Sequence, residues 1–79
     1  MIIYVDDPEI CLRIRNLWEK SGYSWEKFCK ITGISEKLYE DIRNDRELEI
    51  PYEVLKKICV AFSIRAEELL YCPEEINSP

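Results

Sequence analysis

Between Glu36 and Asp45 the chain carries four carboxylates, Glu36, Glu40, Asp41 and Asp45, against two cations, Lys37 and Arg43. Such a segment can do two things at a nucleic acid. A lysine matches the O6 and N7 acceptors of guanine, and a glutamate can accept from cytosine N4. It can also do the opposite, and repel phosphates. Over residues 36–49, Glu36, Glu40, Asp41, Asp45, Glu47 and Glu49 face only Lys37, Arg43 and Arg46. Four cysteines (11, 29, 59 and 72) are the other reactive side chains. None forms a CxxC pair, the chain has no histidine, and the spacings match no zinc pattern. The reading is therefore of buried, reduced thiols packing as small hydrophobes, of a reducing cytoplasm, and of no metal or other cofactor. Without histidine, a Gly-rich phosphate loop or a nucleophile paired with a base, the sequence does not read as an enzyme.

The elements that must position these groups are set by capping and periodicity. Residues 2–5, IIYV, are β-branched and aromatic and read as a short strand or extended arm, with residues 1–7 set apart from the helical domain. Asp7 is an N-cap before Pro8, and Ile10, Ile14, Leu17 and Trp18 hold one helix face. This helix should span 8–20 and end at Gly22. Ser24 caps a helix over 25–31 with Phe28, Cys29 and Ile31 inward, and Gly33 supplies a tight turn. Ser35 caps a third helix over 36–44 with Tyr39 and Ile42 inward. The next stretch, NDRELEI, reads as a polar loop. Pro51 starts a fourth helix with the stripe Tyr52, Leu55, Ile58, Cys59 and Phe62, and a fifth over 66–71 carries Leu69 and Leu70. Pro73 stops it, leaving a polar tail over 73–79 and one domain over 8–72.

The totals set limits. Seventy-nine residues form one domain, and 47% hydrophobic residues suffice for a core. Sixteen acids against eleven bases leave a net charge of −5, so the chain as a whole is repelled by nucleic acid and any basic patch must be local. The N-terminal MIIYVDDP lacks the basic region of a signal peptide, and no stretch approaches the ~18 apolar residues of a membrane span. The expectation is a cytoplasmic protein.

The stretches NLWEKSGYSW, EKFCKITGIS, LYEDIRND and FSIRAEELL together resemble the Cro/C1-type (XRE) helix-turn-helix domain. The resemblance covers residues 9–71. It implies an all-α, compact five-helix lambda-repressor-like domain, here with a short N-terminal extended arm. It also implies a transcriptional regulator binding double-stranded DNA, of a size found in phage or mobile-element repressors and acting as a homodimer. Carried over by position, the base-facing residues are Ser35, Glu36, Lys37 and Asp41, and the backbone-facing ones are Ser24, Trp25, Asn44 and Arg46. Arg13, Arg15, Lys20, Lys27 and Lys30 are further cations that either meet phosphates or are simply solvated.

Three departures from the family pattern carry expectations of their own. Trp25 replaces the usual glutamine and Leu38 a small polar residue, so the two are expected to form an exposed apolar patch. That patch supports an alternative function, an acidic protein-interaction module acting as an antagonist or DNA-mimic inhibitor. Trp18 stands where the family has arginine and Arg43 where it has glutamate, which predicts Arg43 stacked on the Trp18 indole. The loop after the third helix is longer and more acidic than usual. The IIYV arm either pairs with a second copy by strand addition or packs on its own domain.

Overall fold

The computed structural model describes residues 1–70; Cys72 and the tail over 73–79 lie outside the described residues. Its elements are β1 (Ile2–Val5), α1 (Pro8–Ser21), α2 (Trp25–Thr32), α3 (Glu36–Arg43), β2 (Leu48–Pro51), α4 (Tyr52–Phe62) and α5 (Ala66–Leu70).

Local chemistry sets each helix boundary. The Asp7 carboxylate accepts from the Glu9 amide at 3.0 Å, and Pro8 opens α1 where its missing N–H costs nothing. Ser24 and Ser35 do the same for α2 and α3, each hydroxyl accepting at 3.2 Å from the amide three residues on. Gly22 and Gly33 end α1 and α2 at φ of 75° and 80°, a region open to glycine at little cost. α3 ends at Asn44, whose side-chain amide donates to the Glu40 carbonyl at 2.8 Å.

The expectation of an all-α fold is corrected by a small sheet. β1 and β2 pair antiparallel with Ile2 opposite Pro51, Ile3 opposite Ile50, Tyr4 opposite Glu49 and Val5 opposite Leu48. The segment read as a polar loop is therefore half strand. Its alternation places Leu48 and Ile50 in the core and Glu47 and Glu49 in solvent. The same pairing sets IIYV on its own domain along one edge, with Ile3 and Val5 against the core.

That core gathers residues from every described helix and from β2. Ile10, Cys11 and Ile14 of α1 meet Phe28 of α2, Leu38 and Ile42 of α3, Leu48 and Ile50 of β2, Val54, Leu55 and Ile58 of α4, and Leu69 of α5. Each such side chain contributes roughly 1.5–3 kcal/mol when fully buried. Tyr52, expected on the inward stripe of α4, lies on the surface instead. It occupies the first position of the helix, where its amide bonds the Met1 carbonyl at 2.9 Å, and Val54 takes the core position.

Candidate nucleic-acid interface

α3 has two faces, and they divide its charges. Leu38, Asp41 and Ile42 point inward, while Glu36, Lys37, Glu40 and Arg43 are exposed together with the adjoining Asn44. Asp41 is 6% exposed, so it cannot present its carboxylate to a base, and the base-facing assignment of Asp41 is corrected. A buried carboxylate needs partners. Lys37 supplies one at 2.9 Å, from one helical turn before, and Arg46 a weaker one at 3.7 Å. The hydrogen bond from Lys37 to Asp41 pushes the lysine pKa above its ordinary value. Lys37 nevertheless stays on the surface, with three-quarters of its side chain exposed.

Beside this pair, the Cys11 thiol lies 3.5 Å from the Arg46 carbonyl and 4.0 Å from that of Asp41. Burial raises the pKa of Cys11, and raises those of Cys29 and Cys59 as well. All three are free thiols. Held protonated, they are poor nucleophiles and poor metal ligands.

The other residues expected at DNA serve the fold first. The hydroxyls of Ser24 and Ser35 are occupied as caps, and the Asn44 amide closes the end of α3. Arg15 donates to the Ile42 carbonyl at 2.6 Å and to Asp45 at 2.8 Å, tying α1 to the end of α3. Arg13 donates to the carbonyls of Glu68 and Leu69, tying α1 to α5. Lys27 lies over the Tyr23 ring at 4.8 Å. Lys20 and Lys30 are exposed.

The expected apolar patch does not form. Leu38 is 5% exposed, because it sits one turn before Ile42 on the same inward stripe. Trp25 is half-buried in an aromatic cluster. Its ring lies 4.9 Å from Trp18 edge-on, 5.0 Å from Phe28 and 4.8 Å from Tyr39. Trp18 is thereby engaged by Trp25, and no cation–π contact joins it to Arg43. Arg43 instead lines a cleft of about 230 Å³ with Arg15, Trp18, Trp25 and Tyr39. The indole nitrogens of both tryptophans are buried without a hydrogen-bond partner among the described residues.

The residues that the sequence reading missed are Glu40 and Arg43 as part of the outer face of α3. Their signal was available: 36, 40 and 43 are spaced as one helix face, complementary to the apolar stripe at 38 and 42.

An α2–turn–α3 unit with Gly33 in the turn, capped by Ser24 and Ser35 and packed on α1 and α4, is thus on hand. Residues 13–75 match the family model of the Cro/C1-type HTH DNA-binding domain. The chain belongs to that family. No curated protein and no solved structure matched it. In this Cro/C1-type domain the outer face of α3 is charge-balanced, with Glu36 and Glu40 against Lys37 and Arg43. Among the described residues, no group of acidic or cysteine side chains is placed to hold a metal, and no helix is long and apolar enough to cross a membrane.

Proposed function

We propose that this Cro/C1-type domain is a transcriptional regulator that sets α3 in the major groove of double-stranded DNA. Glu36, Lys37 and Glu40 face base edges. Arg43, with Ser24 at the start of α2, faces the phosphate backbone, in keeping with the general docking of helix-turn-helix proteins; the Trp25 indole N–H, assigned to the backbone by position, is buried and takes no part. The observation that carries this reading is the inward placement of Asp41. It removes one carboxylate from the surface that the acidic sequence would have opposed to phosphate, and the charge left exposed on α3 sums to zero. Neutrality does not supply affinity, which must come from cations neutralising phosphates. Arg43, Lys20, Lys30 and Lys27 are surface cations of the first three helices that take part in none of the ion pairs among the described residues. Proteins of this geometry read two half-sites as two-fold dimers, and a homodimer is part of the proposal.

The test is binding of the purified chain to random-sequence duplex at low and at physiological salt, followed by Lys37→Ala and Arg43→Ala. Arg43→Ala, which removes a phosphate contact, should reduce the slope of log K against log salt by about 1, whereas Lys37→Ala, which removes a base contact, should relax sequence preference. Failure to bind duplex even at low salt would overturn the reading.

A further inference from the structure

β1 is an edge strand without protection. Ile2–Val5 carries no charge, whereas edge strands are ordinarily blunted by charged side chains, proline or bulges. The Met1 carbonyl accepts from the Tyr52 amide, so Met1 and Tyr52 form a hydrogen-bonded pair. Alternation along the ladder then makes Ile3–Ile50 and Val5–Leu48 hydrogen-bonded pairs, and Ile2–Pro51 and Tyr4–Glu49 the non-bonded ones. Pro51, which has no N–H, falls where none is needed. The amides and carbonyls of Ile2 and Tyr4 therefore point away from β2. No backbone bond outside the ladder uses them among the described residues. Their side chains are also open to solvent, at 46% for Ile2 and 75% for Tyr4, beside the exposed Met1 and Tyr52.

We propose that a second copy of this chain occupies that edge, β1 pairing antiparallel with the partner's β1 about a two-fold axis through Ile3. This specifies the interface of the homodimer proposed above and rests on that reading. The arrangement is self-complementary, as a two-fold interface must be. Ile2 exchanges both of its outward backbone bonds with Tyr4 of the partner subunit, and Tyr4 does so with the partner's Ile2. A one-residue slip would offer the groups of Ile3, already taken by Ile50. A two-residue slip either sets Ile2 against the partner's Ile2, leaving Tyr4 opposite no residue of the partner's β1, or sets Asp6 opposite Ile2 of the partner subunit. The central register alone pairs all the outward groups of β1 with those of the partner's β1 and keeps Asp6 out of the seam.

The product is a four-stranded sheet in the order β2, β1, β1, β2. Each outer-face row runs Glu49, Tyr4, then the partner's Ile2 and the partner's Pro51. Aromatic and β-branched residues meet at the centre, a favoured cross-strand pair. The carboxylates fall at opposite outer ends of the sheet, so the acidic chain meets its copy across an uncharged seam.

The experiment is sedimentation of the full chain without DNA, from micromolar to millimolar protein. The wild type should shift from the mass of one 9.5 kDa chain to twice that mass. Ile2→Glu and Tyr4→Lys should each remain at the mass of one chain, since each sets a charge against an apolar partner. An equimolar mixture of the two variants should regain the doubled mass, because Glu at position 2 then faces Lys at position 4 while the other row keeps its wild-type pair. Both side chains are exposed within one subunit, and circular dichroism melts check that the variants are folded. A wild type that stays single at all concentrations, a dimer that survives both substitutions, or a mixture that stays single would each overturn the interface. None of these outcomes uses DNA, so the DNA-binding reading stands or falls separately on its salt titration.

Discussion

The Lys37 ammonium lies 2.9 Å from the buried carboxylate of Asp41, one turn further along the helix proposed to read DNA. One end of this pair is internal and the other is in solvent, so it couples the stability of α3 to what its surface can offer a ligand. Asp41→Asn keeps the shape and removes the charge. The expected result is a small loss of stability, held down by the exposure of both cations. Urea unfolding checks it. Duplex affinity should rise in the same variant, because Lys37 and Arg46 are released and the net charge becomes less negative. Unchanged or weaker DNA binding by the folded variant would show that the pair is not restraining Lys37.

Stability should fall as the solution becomes alkaline, in a window set by groups whose folded pKa is raised. Burial keeps Cys11, Cys29 and Cys59 protonated above their ordinary 9.0. The unfolded chain loses these protons first, so the folded state binds more protons than the unfolded one and stability declines from about pH 9 upward. Lys37 acts in the same direction at higher pH. Its contribution is fully present below its ordinary 10.5 and is lost as pH rises through the raised folded value. Urea midpoints at neutral pH, about pH 9 and above about pH 10 should decrease in that order, with the first step reduced in Cys11→Ala relative to its own neutral-pH value.

Removal of residues 1–5 should unfold much more than a tail. β1 covers Leu48 and Ile50, both almost wholly buried, and each covered apolar side chain is worth up to roughly 1.5–3 kcal/mol. Loss of both, with Ile3 and Val5, consumes much of the ~5–15 kcal/mol of a small domain. The melting temperature of the truncated chain should drop by well over ~10 °C. A truncated chain that melts within a few degrees of the full one would mean that β1 is dispensable to the fold.

The helices are legible in the sequence because independent local signals agree: Asp7 with Pro8, Ser24 with Gly33, and Ser35 three residues before Leu38. β2 is not, because its alternation, Glu47-Leu48-Glu49-Ile50, covers only four residues within an acidic stretch and needs IIYV as its partner. A strand pair is a tertiary fact, and two short segments separated by three helices do not announce one another. Leu38 and Asp41 mislead for a different reason. Family position turns them outward, whereas Leu38 stands four residues before Ile42 and three before Asp41, spacings that gather the three on the inward side. For Asp41, the clue is Lys37 four residues before, a spacing that pairs side chains on a helix. The exchange at Trp18 and Arg43 reads as a matched pair, but Trp18 meets the Trp25 indole edge-on instead.

Trp25 offers the sharpest separation between packing and polar function. Its ring touches Trp18, Phe28 and Tyr39, while its indole N–H is buried with no acceptor among the described residues. An unpartnered buried donor costs about 1–3 kcal/mol, so the nitrogen subtracts from what the ring contributes. Trp25→Phe retains most of the ring contact and discards the orphaned donor, and the two effects oppose each other. Its unfolding free energy should lie within about 1 kcal/mol of wild type. Trp25→Ala removes the ring altogether and should cost about 3 kcal/mol, the low end for a large aromatic because the residue is only half-buried. Urea unfolding of the two variants measures both. If Trp25→Phe were as damaging as Trp25→Ala, the indole N–H would have to possess an acceptor, and the site at the start of α2 would be polar rather than aromatic in character.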